Sequence, residues 1–125
     1  METVLSRTYK AAADYSTAAT YQYRWVYLTA DDTVTLCESG DPIGILQNNP
    51  EQYMPAEVMI MGISKLSMSA TCSVQAKIGP TTGGQGVEVT ADDGEYGAIC
   101  LEACTVADQQ VDVLLTPGQS LSAGT

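Results

Sequence analysis

Histidine and phenylalanine are missing from the 125 residues, and only five lysines and arginines stand against fifteen aspartates and glutamates. Each shortage excludes something. Without histidine the commonest general base and metal ligand is gone. No Cys–His or Ser–His pair can be assembled for nucleophilic catalysis. The net charge of −10 argues against nucleic acid as a partner, because phosphate contacts need a basic patch. No apolar run approaches a membrane span, and METVLSRTYK is followed by AAADYSTAAT rather than by the apolar core of a secretory signal. The expectation is a soluble chain made in the cytoplasm, with no membrane partner and with reduced thiols.

What is present is a hydrophobic fraction of 45% with only 16% charged residues, the opposite of a disordered chain. One domain of this length can bury a core without disulfide staples. The four cysteines, Cys37, Cys72, Cys100 and Cys104, contain no CxxC pair, so buried small hydrophobes are expected in preference to a zinc site. Charge is unevenly placed. Residues 1–30 hold Arg7, Lys10 and Arg24 against Glu2 and Asp14, a net of +1, while residues 31–125 hold Lys65 and Lys77 against thirteen acids, a net of −11.

The pattern along the chain is strand, turn, strand. Residues 1–20 fit neither period well and read as an N-terminal arm, with residues 1–12 expected to be mobile in the free protein. YQYRWVYL at 21–28 alternates, placing Tyr21, Tyr23, Trp25 and Tyr27 on one face, either a core face or a subunit contact. Asp31 and Asp32 turn the chain into a strand through Val34 and Leu36. Residues 43–47 form the next, where Gly44 signals a bulge or a close backbone approach. AEVMIMG at 56–62 is apolar on both faces, Ala56, Val58 and Ile60 against Glu57, Met59 and Met61, so it is covered on both sides by a second layer or a partner subunit. Further strands are read in 63–79, after the glycine-rich loop at 80–86, after the turn at Asp92–Asp93–Gly94, and at 110–116. The sum is an all-β fold: a small single-domain β-barrel or β-sandwich of about eight short strands, with an arm at 1–20, a body at 21–118 and a flexible tail at 119–125.

Candidate chemistry is sparse. The pairs Asp31/Asp32 and Asp92/Asp93 could offer carboxylates to calcium, but they lack the spacing of a calcium loop and fit hairpin turns. Lys65, in GISKLSM, invites comparison with the modified lysine of a lipoyl or biotinyl carrier, yet lacks the flanking residues those carriers use. No catalytic residue, metal or cofactor is expected. The face with Met59 and Met61 is expected at a contact between subunits, together with Tyr53 and Met54 from the preceding loop, since methionine suits an adaptable surface. The alternative is a strand enclosed in the domain's own core.

Several short words point one way. PIGIL at 42–46, AEVMIMG at 56–62, GAICLEA at 97–103, VDVLL at 111–115 before Pro117–Gly118, and AADYS at 12–16 follow the order found in the head decoration (capsid cement) proteins of tailed bacteriophages, which this chain resembles over about residues 11–118. The resemblance implies a non-enzymatic virion protein on the outer capsid surface, a homotrimer that staples the major capsid protein against the pressure of packaged DNA. It also implies an arm, with Val4, Leu5, Arg7, Tyr9 and Lys10 as contacts, that orders on the shell by main-chain pairing.

Overall fold

The computed structural model describes residues 2–17, 21–39, 42–90 and 95–120. Among them nine strands follow in order: β1 (Glu2–Ala11), β2 (Trp25–Ala30), β3 (Thr33–Leu36), β4 (Gly44–Leu46), β5 (Pro55–Ser67), β6 (Lys77–Pro80), β7 (Gly86–Glu88), β8 (Glu95–Cys100) and β9 (Gln110–Ser120). Among the described residues there is no α-helix. The strands form one sheet in the order β1-β3-β2-β4-β5-β9-β8-β6-β7, and β1 also pairs with β5, so part of the sheet is a ring. An isolated bridge from Met68 to Gly86 brings β7 back beside the end of β5. The all-β expectation holds.

Strands β2, β4 and β5 lie side by side and are apolar on both faces for a visible reason. Trp25 stands opposite Ile45, and Ile45 opposite Met59, making one cross-strand row. One residue along, Val26, Leu46 and Val58 project to the other side, because side chains alternate along a strand. The two rows feed separate cores. Val26, Leu46 and Val58 meet Tyr9, Ala11, Tyr15, Val34 and Ala56 within the ring. Trp25, Ile45 and Met59 meet Leu66, Ile78, Val111 and Val113 from β5, β6 and β9. Fully burying a Val, Leu or Ile side chain contributes about 1.5–3 kcal/mol, so each row is a substantial share of the stability. Gly44 is the close approach anticipated from its position in a strand: a Cβ there would run into the Met59 carbonyl oxygen and sit 2.7 Å from Val58 Cγ1. Only glycine lets β4 lie this near β5.

Some expectations change. The strand read at 21–28 begins only at Trp25, because Tyr23 adopts φ 68 and breaks the alternation. Tyr21 and Tyr23 consequently pack on different cores, and Tyr27 is exposed. The closing strand is longer than 110–116. β9 continues to Ser120, with Pro117 and Gly118 lying in the register shift between the Tyr96–Gln119 and Ala98–Leu115 pairs. Residues 121–125 of the expected tail lie outside the described residues.

The largest change is at the N-terminus. Residues 2–11, expected as a mobile arm, are a ten-residue strand paired antiparallel with β5 from the Glu2–Ile63 to the Lys10–Pro55 pair. Lys10 and Ala11 also pair parallel with Thr33 and Val34. Tyr9 and Ala11 fill the ring core. The local sequence hides this because Val4 and Leu5 fall on opposite faces of ETVLSRTYKA and the remaining residues before Tyr9 are polar, so neither face reads as apolar. Only the distant β5 supplies the ladder. Deleting residues 1–11 should therefore unfold the protein or lower Tm by more than about 10 °C, from lost core packing and one lost strand. Thermal denaturation followed by circular dichroism checks this, and an unchanged Tm would contradict the pairing.

Candidate functional site

The most built surface outside the two cores lies along β1. Residues Arg7, Thr8, Tyr9 and Lys10 of β1, Asp32 of the β2–β3 turn, and Tyr53 and Pro55 before and at the start of β5 line an open depression of about 400 Å³. Tyr9 forms its fixed part, 8% exposed and anchored in the ring core. The Arg7 guanidinium lies over the Tyr9 ring at 5.3 Å, and its Nη2 is 3.7 Å from Asp32 Oδ1. Both ionic side chains are well exposed, so the pair adds little stability and leaves Arg7 available to a partner. Asp32 tolerates φ 53 at the turn, as a short polar residue can, and this aims it back at β1.

The far wall is held by main-chain bonds. The Tyr53 N–H donates to the Ala11 carbonyl at 2.8 Å, and the Ala11 N–H donates to the Met54 carbonyl at 3.1 Å. Tyr53 at φ 64 is thereby pinned in the left-handed region while its ring stays 68% exposed. Sequence reasoning singled out Arg7, Tyr9, Lys10 and Tyr53, and the fold brings these four together. It did not find Thr8 or Pro55, and it weighed Asp32 only as a turn residue or a calcium carboxylate. The Lys10–Pro55 and Lys10–Thr33 pairings that import them have no local signature.

β1 also presents an open edge. The Lys10 N–H points to the β3 side, donating to the Asp32 carbonyl at 2.6 Å, whereas Ala11 points to the β5 side. Main-chain groups alternate between the two edges of a strand, so Ser6 and Thr8 turn their N–H and C=O to the same side as Lys10. β3 covers that side only at Lys10 and Ala11. Among the described residues, no main-chain bond reaches the outer edge at Ser6 or Thr8. A row of unpaired donors and acceptors beside two cations can take up an extended, acidic segment as an added strand. Val4, 73% exposed, sits at an irregularity between the Thr3–Gly62 and Leu5–Met61 pairs.

The methionines separate. Met59 and Met61 do not share a face, because the pairing shifts between Leu5–Met61 and Ser6–Met59 and leaves Ile60 as an extra residue on β5. Met59 is 1% exposed and belongs to the core. It is not available to a subunit contact. Met61 is 44% exposed, directly opposite the exposed Leu5. Ile63, two residues on, stands opposite the exposed Leu114. Met54 is exposed beside Tyr53. Lys65 lies in mid-strand rather than at a hairpin tip, with its Nζ 3.0 Å from Asp112 Oδ1. The hydrogen bond to Asp112 raises its pKa above the usual lysine value, the charged form being favoured. This is a poor setting for a carrier lysine, which must be neutral to be acylated. Asp31 and Asp32 occupy a hairpin turn. Asp92 and Asp93 lie outside the described residues.

No protein-family model matches the chain, and no curated protein matches it in sequence. Among solved structures, its fold is similar to that of the head fiber gp8.5 N base in bacteriophage phi29, with a TM-score of 0.68 over 95% of this chain and 99% of that one, at 12% identity. The likeness is one of fold along almost the full length of both chains.

The separation of the two methionines has a direct consequence for stability. Met59→Ala should cost about 2–4 kcal/mol through the cavity it leaves, and Met61→Ala less than about 0.5 kcal/mol. Urea midpoints measured on the two variants check this. Equal losses would place both side chains in the core.

Proposed function

We propose that the protein is a non-enzymatic structural component of a tailed-phage virion, made in the host cytoplasm, that binds the outer surface of the capsid and stabilises the shell. The observation that carries this reading is the full-length fold likeness to a phage head fiber base. The sequence resemblance to capsid decoration proteins is independent of it and points to the same class of particle. The absence of histidine agrees with a role in which contact, not chemistry, is the task.

In this reading the partner is the major capsid protein, and β1 is the contact strand. The arrangement differs from a loose arm that orders on the shell. β1 is already held by β5, so an extended capsid segment would add to a preformed edge at Ser6 and Thr8. Preorganisation lowers the ordering cost of binding. Arg7 and Lys10 would draw acidic side chains of that segment, and Tyr9 and Tyr53 would flank it. Self-association as a trimer belongs to the same proposal, with Met61, Tyr53 and Met54 as exposed apolar contacts and avidity multiplying three weak attachments.

Thr8→Pro tests the edge without dismantling the fold. It removes an N–H that faces outward, a substitution edge strands tolerate, and leaves the β1–β5 ladder in place. Binding is measured by cosedimentation with capsids of the parent phage assembled without this protein. The expected result is an unchanged circular dichroism spectrum with at least about tenfold weaker binding, the loss of more than one main-chain bond. Full binding by the variant would remove β1 from the contact. No binding by the unmodified protein would sink the capsid reading itself.

A further inference from the structure

All four thiols belong to the second core, and three of them, Cys72, Cys100 and Cys104, converge there. Cys72 and Cys104 form an isolated antiparallel bridge, each N–H donating to the other's carbonyl at 3.0 Å. The Gln75 N–H donates to the Cys100 carbonyl at 2.7 Å, and the Cys100 N–H to the Ala76 carbonyl at 2.8 Å, which lays the segment between β5 and β6 against the end of β8. As a result Cys72 Sγ lies 3.4 Å from Cys100 Sγ.

The thiols differ in their hydrogen-bond partners. Cys100 donates to the Glu102 carbonyl at 2.7 Å, and Cys104 to the Val106 carbonyl at 3.0 Å, each two residues along its own chain. In the contact between Cys72 and Cys100 either thiol can donate to the other sulfur. The two also differ in access. Cys72 is 9% exposed in a segment whose neighbours Thr71, Ser73 and Val74 are exposed, whereas Cys100 is fully enclosed behind it.

We infer that Cys72 and Cys100 are a redox-modifiable pair, reduced on synthesis and joined into a disulfide by low-molecular-weight disulfides. The chemistry balances as two exchanges. The Cys72 thiolate attacks one sulfur of the small disulfide, forming a mixed disulfide and releasing one small thiolate. Cys100 sulfur then attacks Cys72 sulfur, forming the Cys72–Cys100 bond and expelling the second small thiolate. The two protein protons end on the two small thiols, and the two electrons have reduced the small disulfide. Forming the bond brings the two sulfurs from 3.4 Å to about 2.05 Å. The bond would tie the β5–β6 connection to β8 and reinforce the second core independently of whether the capsid reading is right.

The second exchange carries a pH signature. Burial, with the Cys72 contact, pushes the Cys100 thiol up to about 11. Its titratable neighbours are Cys72 and Cys104. Glu102 turns its carboxylate to the Asp112 N–H at 3.1 Å, and the facing elements offer Ala76 and Val113. The Cys100 thiolate fraction therefore rises about tenfold per pH unit through neutral and mildly alkaline pH.

The test uses the full chain, reduced, freed of reductant and incubated with oxidised glutathione, then denatured, alkylated and weighed. The expected product carries two alkylated cysteines instead of four, with a cross-linked peptide pair containing Cys72 and Cys100. Its Tm should rise by about 5 °C or more, and its formation rate should climb with pH. Cys104→Ser should form the same bond. Four alkylated cysteines after prolonged incubation, or a cross-link between Cys72 and Cys104, would overturn the pairing. A rate that does not change with pH would overturn thiolate exchange as the route to the bond. The peptide map is made on the unsubstituted chain, so its outcome does not depend on whether a variant folds.

Discussion

The rest of the structure hangs on the close approach of β4 to β5. At that seam Ile45 and Met59 face one core while Leu46 and Val58 face the other, so a single layer of backbone separates two hydrophobic interiors. Main-chain groups in such a layer have no water to turn to, and the sheet ladder must satisfy them. This is why Gly44 sits where it does: any side chain would prise the two strands apart and expose the ladder of both cores at once. Strand β5 then serves both halves. Its first part holds β1, and its last residues, from the Ile63–Leu114 to the Ser67–Gln110 pair, hold β9.

The division of β5 explains why β1 has one bound and one open edge. Its β5 side is used along nearly the whole strand, while its other side meets β3 only at Lys10 and Ala11. A long open edge is an aggregation hazard unless it is blunted. Here the blunting is partial: an irregularity at Val4, and the cations Arg7 and Lys10 on a chain of net charge −10. These devices discriminate by chemistry. In a second copy laid edge to edge in register, Arg7 and Lys10 would meet cations, whereas an acidic segment from another protein would meet opposite charge.

What could be read from the sequence follows from how local each signal is. The all-β class, the Asp31–Asp32 turn, the doubly apolar strand at 56–61 and the tight spot at Gly44 all rest on residues within a few positions of one another, and these agree with the structure. β1 could not be recognised as an integral strand, because what makes it one is a ladder to residues 55–63 and a core contact through Tyr9. The shared face assigned to Met59 and Met61 failed for a similar reason. A one-residue shift in pairing at Ile60 reverses which residues point inward, and period-two counting cannot see it. For the candidate site, Arg7, Tyr9 and Lys10 were expected as contacts of an arm and Tyr53 as a subunit contact, and nothing in the local sequence joined the two sets. Their convergence into one depression depends on the Tyr53–Ala11 main-chain bond, which only the fold creates.

The two halves of the molecule are built for different demands. The ring side carries the open edge and the depression, and its bonds at that edge are few, so a partner's strand would complete hydrogen bonding that the chain leaves undone. The opposite half has its ladder largely closed on itself: β8 lies between β9 and β6, and the Met68–Gly86 bridge returns β7 to the end of β5. The cluster of Cys72, Cys100 and Cys104 lies in that closed half, where a cross-link would join segments already hydrogen-bonded rather than pull separate ones together. A partner bound at β1 would pull on β5 through the antiparallel ladder, and β5 would pass the load directly to β9. A load applied along such strands is shared by the ladder bonds on both sides of β5, and the interlocked rows at the β4–β5 seam resist their sliding. The same shared wall that makes the fold possible therefore links the proposed contact strand to the most closed part of the molecule.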